Sequence, residues 1–290
     1  MYRMSNEKSQ AITNRKVTDR IQGPLIVAIM AGGLGKRMQS DIPKVLHILG
    51  DAPILVHVIR AALGLFRAGE DLSKIMIIVG KYYPIIKETV DKYLLKDEQR
   101  FIEYVFQHEA KGTGHAVQQI LPALRGYSSN SKVMVLSGDV PLISTKTLLG
   151  LLGTYDLGKN TKAVLITTNL DDPTGNGRIL RNELHEFMSI VEEKDANATE
   201  KLIKEVNAGI YLFHAGSLLE NLPNIRNDNA QNEYYLPDVL PLIRENNNNN
   251  NSKNRIVSYI LDKEDQYELL NINDPAGLKH AEKLLTRKGY

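Results

Sequence analysis

The residues best suited to chemistry sit in a few short stretches. Ala31-Gly32-Gly33-Leu34-Gly35-Lys36-Arg37-Met38, followed by Pro43-Lys44, sets three glycines beside three cations. Glycines let a backbone approach a ligand closely, and successive N–H groups form a nest for an anion. With Lys36, Arg37 and Lys44 added, this is the combination a triphosphate needs. An ordinary tight strand-to-helix turn with solvated bases is the competing reading. Gln107-His108-Glu109-Ala110-Lys111-Gly112-Thr113-Gly114-His115-Ala116-Val117 carries a side-chain amide that both donates and accepts, which suits a nucleobase edge. Gly112 and Gly114 allow close contact there, and a following helix offers its N-terminal N–H groups. A Gly-Thr-Gly turn into a helix is common, so this stretch alone is weak support. Ser137-Gly138-Asp139-Val140-Pro141-Leu142 places an acid after an apolar run, well set to hold a divalent cation. Mg²⁺ takes one or two protein oxygens and completes its shell with phosphates and water. The alternative is that Asp139 caps a helix starting near Thr145.

The second half supplies polar groups rather than nucleophiles. Residues 172–179, Asp-Pro-Thr-Gly-Asn-Gly-Arg-Ile, form a flexible turn able to close over a substrate. Glu192-Glu193-Lys194-Asp195, Asn207-Ala208-Gly209 and Asn227-Asp228-Asn229-Ala230-Gln231-Asn232-Glu233-Tyr234-Tyr235-Leu236 follow. Carboxylates and amides together suit sugar hydroxyls, and each stretch reads equally well as a loop or a cap.

Commoner signatures fail. A dinucleotide fingerprint would need Gly where Met38 stands. The nearest triphosphate loop of the GxxxxGK type starts at Gly153 and ends Gly158-Lys159-Asn160, without the required hydroxyl and after a helix pattern. There is no G-x-S-x-G and no H-E-x-x-H. The 290 residues contain no Cys, which removes disulfides, thiol nucleophiles and Cys-based metal sites. Lys and Arg number 36 against 34 acids, a balance that argues against nucleic-acid binding. The longest apolar run, 25–31, is far below the roughly 20 residues that span a bilayer. A soluble cytoplasmic protein with neither nucleic-acid nor membrane partners is expected.

Compact, β-branched-rich runs at 25–31, 75–80, 101–106, 133–136, 163–168, 206–213 and 256–261 read as strands, mostly buried. Helical spacing marks 54–68, 85–95, 116–124 and 145–155, with one last helix pattern after Pro275. Such alternation implies an α/β fold with a mainly parallel sheet covered by helices. Residues 1–22 read as a polar extension, 23–290 as one domain, and the asparagine run 246–251 as a solvated loop. In sheets of this kind ligands bind beyond the carboxyl ends of the strands, where the loops above would lie.

Taken in order, the loops resemble the N-terminal uridylyltransferase domain of the bifunctional N-acetylglucosamine-1-phosphate uridyltransferase family, over roughly residues 24–285. The glycine loop with Arg37 and Pro43-Lys44-Val45-Leu46-His47 is similar to the signature of all sugar-phosphate nucleotidyltransferases. Residues 107–117 and 229–236 are more specific, for uridine and N-acetylglucosamine 1-phosphate. The resemblance implies a Rossmann-like, nucleotide-diphospho-sugar transferase fold with a mixed, mainly parallel sheet. It implies that Arg37 and Lys44 act on the triphosphate and the transferring phosphoryl group. The nucleotide site would comprise Gly32, Gly33, Gly35, Lys36, Gln107, Gly112 and Thr113. Asp139 and Asn229 would be Mg²⁺ ligands, and Gly177, Glu192 and Asn207 sugar-binding positions.

Three departures touch this pattern: Lys36 for the usual Thr, Ser137 for Tyr, and Pro237 for the Thr before Asp238. The implied reaction is UTP + N-acetylglucosamine 1-phosphate → UDP-N-acetylglucosamine + pyrophosphate, by a monomer or small homo-oligomer. A nucleotidyltransferase for another hexose 1-phosphate and a catalytically silent sugar-nucleotide-binding protein are the alternatives. Left-handed β-helix repeats do not follow, so the expectation is a monofunctional enzyme without the acetyltransferase half. These 290 residues should therefore release no CoA from acetyl-CoA and glucosamine 1-phosphate in a thiol assay; measurable acetyl transfer would contradict this.

Overall fold

A computed structural model describes residues 23–33, 35–158, 160–246 and 254–288. The expected extension 1–22, residues 247–251 of the asparagine run and the Lys36 side chain lie outside the described residues. In chain order the strands are β1 (Leu25–Met30), β2 (Ile48–Leu49), β3 (Ala52–Pro53), β4 (Leu72–Val79), β5 (Ile102–Phe106) and β6 (Lys132–Ser137). Then come β7 (Thr161–Asn169), β8 (Arg178–Arg181), β9 (Phe187–Val191), β10 (Glu205–His214) and β11 (Arg255–Ile260). The main sheet runs β11-β7-β10-β6-β1-β4-β5, with β8 joined to β10 and β9 to β8; β2 and β3 make a separate ribbon.

Strand pairing explains the sequence pattern. β1 lies parallel between β4 and β6, and both of its faces are covered. Leu25, Val27 and Ile29 enter one core while Ile26 and Ala28 enter the other. β4 divides likewise, with Ile75, Ile77 and Val79 against Met76 and Ile78. A strand buried on both faces reads as an unbroken apolar run rather than an alternation. The helices Ile54–Arg67, Tyr83–Tyr93 and Thr145–Leu157 cover the first face. Thr113–Gln118, Leu121–Leu124, Ala215–Asn221 and Val239–Glu245 cover the second. The fold is thus the expected mixed, mainly parallel sheet between helices.

Three local features differ from expectation. The segment 116–124 is two short helices, because Pro122 lacks an N–H and starts a second one. The β8–β9 hairpin was not anticipated; its strands are short and only partly buried, so their period is weak. Ala215–Asn221 and Val239–Glu245 are seven residues each, too short for helical spacing to show. Among the described residues no helix is long and apolar enough to cross a membrane.

The sheet places the site through its switch point. From β1 the chain passes to β4 on one side, while β6 lies on the other, so loops leaving β1 and β6 diverge and leave a crevice. A third cluster, Leu49, Ile54, Ile272 and Ala281, holds the final helix, Pro275–Lys288, against the β2–β3 ribbon and the loop after β6. Nearby, buried Glu268 accepts hydrogen bonds from the Ser144 N–H and hydroxyl, both at 2.9 Å. Ser144 in turn caps the helix Thr145–Leu157 by accepting the Thr147 N–H at 3.1 Å. Asp139 therefore does not cap that helix. Glu268→Ala would leave both Ser144 donors without this acceptor, at a cost of about 2 kcal/mol. Thermal unfolding should show a midpoint lowered by several degrees.

Candidate functional site

The loop after β1 begins where Ala31 N–H donates to the Ile78 carbonyl at 2.8 Å, carrying the strand pairing one residue further. The chain then turns through Gly35, whose φ is +60°, into the short 3-10 turns Lys36–Met38 and Lys44–Leu46. A Cβ on Gly35 would come within 2.4 Å of the Lys44 Cβ, so glycine is needed both for the backbone angle and for the Lys44 stem. That stem leads the ammonium across the crevice to Asp139, with which it forms an ion pair. Asn273 Oδ1 accepts from the same ammonium at 2.8 Å. The other Asp139 oxygen accepts from the Ser137 hydroxyl at 2.6 Å. The Asp139 carbonyl accepts the Ile272 N–H at 2.9 Å. The side chains of Lys44 and Asp139 are each 13% exposed, so the pair is largely withdrawn from water yet reachable.

A second group of contacts gathers around Gln107. Gln107 continues β5, its N–H donating to the Val79 carbonyl at 2.8 Å. Its side-chain amide donates to the Gly112 carbonyl at 3.3 Å and meets His115 Nδ1 at 3.1 Å. The Gln107 Oε1 stands toward Gly32, 3.4 Å from where a Cβ on that glycine would lie. Gly112, with φ +108°, passes so close to the next loop that a Cβ would be 2.5 Å from the Tyr234 carbonyl. Three further bonds clamp these loops together: Gly114 N–H to Tyr234 O (2.7 Å), Tyr234 N–H to Lys111 O (2.8 Å) and Leu236 N–H to Thr113 Oγ1 (3.0 Å). The Gly114 N–H is therefore committed to the protein, so the helix start after Gly112 offers a ligand less than the sequence suggested. The Thr113 oxygen accepts, which leaves its proton to donate.

These parts enclose a cavity of about 270 Å³. Gly32, Gly33, Lys44, Gln107, Gly112, Thr113 and Asp139 line it, together with Ser137 and Glu233. Seven of the expected positions thus converge on one space. Others do not form its wall. Gly35 packs behind Lys44, and Arg37 is exposed on its 3-10 turn. Asn229 turns into its own loop, donating to the Glu233 carbonyl at 2.6 Å and accepting the Gln231 and Glu233 N–H groups at 3.2 Å. From that loop, Glu233 is the side chain that lines the cavity.

Gly177, Glu192 and Asn207 form a neighbouring cluster. A Cβ on Gly177 would stand 3.0 Å from Glu192 Oε1, and the Asn207 N–H donates to the Gly177 carbonyl at 2.9 Å. Asn207 also donates to the Tyr211 hydroxyl at 2.6 Å. The turn before Gly177 is tethered rather than loose, because buried Arg178 donates to Glu193 at 2.6 Å and to the Asn176 carbonyl. Asp195 accepts the Ala230 N–H at 2.9 Å, so the loop 229–236 touches both the turn that follows Glu192 and the cavity.

Metal-holding capacity is modest. Among the described residues there is no group of three or more His, Cys, Asp or Glu able to hold a metal ion. Asp139 offers a carboxylate beside the cavity, whereas the Asn229 oxygen accepts two N–H groups of its own loop and is not part of the cavity wall. One carboxylate beside the cavity fits a hard cation which takes most of its ligands from phosphate and water.

The comparisons agree with this layout. The model of the MobA-like NTP transferase domain matches residues 27–232. The chain belongs to this NTP transferase family. A bifunctional GlmU protein of Trichodesmium erythraeum is 37% identical over 262 residues, covering 89% of this chain and 51% of that protein. A probable UDP-N-acetylglucosamine pyrophosphorylase of Acanthamoeba polyphaga mimivirus is 35% identical over 258 residues, covering 89% of this chain and 95% of that protein. The chain thus spans about half the length of the bacterial relative and nearly all of the viral one. A UDP-glucose pyrophosphorylase solved with UDP-glucose superposes with a TM-score of 0.66 at 17% identity, covering 91% of this chain and 99% of that one. A putative glucose-1-phosphate thymidylyltransferase from Bacillus anthracis superposes with a TM-score of 0.64 at 17% identity, covering 90% and 94%. At that identity the structures share the NTP transferase fold, and the two relatives match the resemblance read from the loops.

Sequence reading missed four participants. Asn273 and Asp238 carried no motif of their own, Glu233 was quoted only as part of its loop, and Tyr211 sat inside a strand. Burial pushes the Asp238 carboxyl up to about 6, with the Asp195 charge adding to the effect. The Glu192 carboxyl is also raised, first by burial and then by the Asp238 and Asp195 charges. A carboxyl raised in the folded state favours folding fully below its unfolded value near 3.8 and loses that contribution as pH rises through 6. Asp238→Asn removes the penalty above that window. It should stabilise this NTP transferase by about 1 kcal/mol at pH 8 and make little difference at pH 4, measured by thermal unfolding at both values.

Proposed function

We propose that the chain is a UDP-N-acetylglucosamine pyrophosphorylase, transferring UMP from UTP to N-acetylglucosamine 1-phosphate and releasing pyrophosphate. The observation that carries the reading is the single cavity in which a glycine backbone, the Lys44–Asp139 pair and the Gln107 amide meet. The viral relative, matched over 95% of its length, bears the name of this activity. A cytoplasmic monomer or small homo-oligomer is the setting this reading takes.

Each wall then has a task. The Gln107 nitrogen is engaged by Gly112 and His115, which leaves Oε1 to accept from the N3–H of uracil. Gly32 and Gly112 admit the flat base edge, and the Thr113 hydroxyl donates to the nucleotide. Gly33 and Gly35 shape the loop around the phosphates. Lys44 supplies fixed positive charge, and Lys36 and Arg37 add two cations on the same loop. Across the loop 229–236, Gly177 packs so closely on Ile190 and Glu192 that only glycine fits, and in this reading Glu192 and Asn207 pair with the hydroxyls and amide of the sugar. A phosphate oxygen of the sugar phosphate, already ionised near neutral pH, forms the new bond to the α-phosphorus. The bond to the β-phosphate oxygen breaks, and its electron pair leaves with pyrophosphate. No general base is required, so catalysis is positioning and charge stabilisation. Mg²⁺, held by Asp139 and Asn229, would supply charge neutralisation on the phosphates.

Pyrophosphate release tests this. UTP with N-acetylglucosamine 1-phosphate should be the best pair in a panel including the glucose and galactose analogues and dTTP, and turnover should need Mg²⁺. Asp139→Ala should lower turnover by at least ~100-fold, since it removes the metal carboxylate and the partner of Lys44 together. Near-normal Mg²⁺-dependent release by that variant would refute the role of Asp139. Tight UDP-N-acetylglucosamine binding with no turnover in either direction would instead mark a binding protein.

A further inference from the structure

Lys44 reaches the cavity on a flexible four-carbon stem, yet its ammonium is held at two points. Asp139 accepts one N–H and Asn273 Oδ1 accepts another at 2.8 Å. An ammonium has three N–H bonds in a fixed tetrahedral arrangement. One acceptor would let the group swivel about that contact. Two acceptors fix the direction of the third N–H, which is left for the cavity that Lys44 lines with Gly32, Gly33 and Ser137.

Resting on the reading above, we propose that Asn273 is a positioning residue, which together with Asp139 aims the Lys44 ammonium at the phosphates of the bound nucleotide. Its chemistry suits the task. A second carboxylate here would cancel the positive charge meant for the substrate, whereas an amide oxygen orients the ammonium and leaves its charge intact. Its anchoring also suits the task. On one side Ile272 is buried beside Leu49 and Ile54 and donates its N–H to the Asp139 carbonyl at 2.9 Å. On the other, Asp274 starts the helix Pro275–Lys288, its side chain accepting the Gly277 N–H at 2.8 Å and its carbonyl the Leu278 N–H at 3.1 Å. The Asn273 backbone is thus pinned on both sides, 229 positions along the chain from the lysine it serves.

A double-mutant cycle on the full chain separates this role from general support of the fold. Asn273→Leu keeps the side-chain size and removes the acceptor. It should lower kcat about 20-fold and UTP affinity by calorimetry about 5-fold, since small misplacements of a phosphate-binding group cost one to two orders of magnitude in rate. On a Lys44→Met background the same change should alter neither quantity by more than about 2-fold, because there is no ammonium left to aim. Losses that multiply in the double variant, or wild-type kinetics for Asn273→Leu, would overturn the proposal. Asn273→Ala repeats the cycle should the leucine variant fold poorly. Absence of pyrophosphate release by the unmodified chain would count against the proposed reaction, and the cycle in UTP affinity would then still decide the role of Asn273.

Discussion

The contact on which the site depends is the ion pair between Lys44 and Asp139. It bridges the loops leaving β1 and β6, the two strands between which the sheet changes direction. Charges at this depth cost free energy unless each is matched, and several neighbours serve that need. Ser137 satisfies the second carboxylate oxygen, Asn273 the second ammonium proton, and Gly35 yields the volume that the lysine stem fills. In the proposed reaction an anionic substrate would therefore meet a cation already in place, with little reorganisation as charge builds during transfer. Ser137, which departs from the usual Tyr, acquires a clear task here as donor to Asp139.

The loop 229–236 is the second organising part. On one flank its backbone bonds to Lys111, Gly114 and Thr113; on the other, Ala230 binds Asp195 and Gln231 accepts from Lys194. The cavity and the segment after Glu192 are therefore coupled through one loop, and with them the proposed base and sugar sides. Within that loop, Asn229 uses both ends of its amide to shape the turn.

Much of this was legible from the sequence, for physical reasons. Runs such as Leu25–Met30 declare themselves because burial on both faces excludes polar residues. That Gly32, Gln107 and Asp139 would gather in one space was legible because they follow such runs closely, and Lys44 and Gly112 lie further along the same loops. What was not legible depends on long-range pairing. The β8–β9 hairpin is partly exposed and short, so its pattern blends into the surrounding loops. Asn273 is an unremarkable residue until the last helix docks and delivers it to Lys44. The raised carboxyls of Glu192 and Asp238 come from burial beside other acids, and spacing along the chain does not encode that.

β10 runs against its neighbours β6 and β7. Its beginning, with Asn207, consequently lies at the same edge as the ends of β1, β5 and β6. In the proposed function the residues for base and phosphates come from strand ends in the first half of the chain, and those for the sugar from a strand start and an appended hairpin in the second. The two halves of the proposed site would thus be built by separate stretches of chain, joined by the β6–β10 pairing and by the loop 229–236. Under the proposed function, substitutions in the hairpin and the start of β10 would retune the choice of acceptor while the strands assigned to the nucleotide stay untouched, a modularity that one reversed strand makes possible.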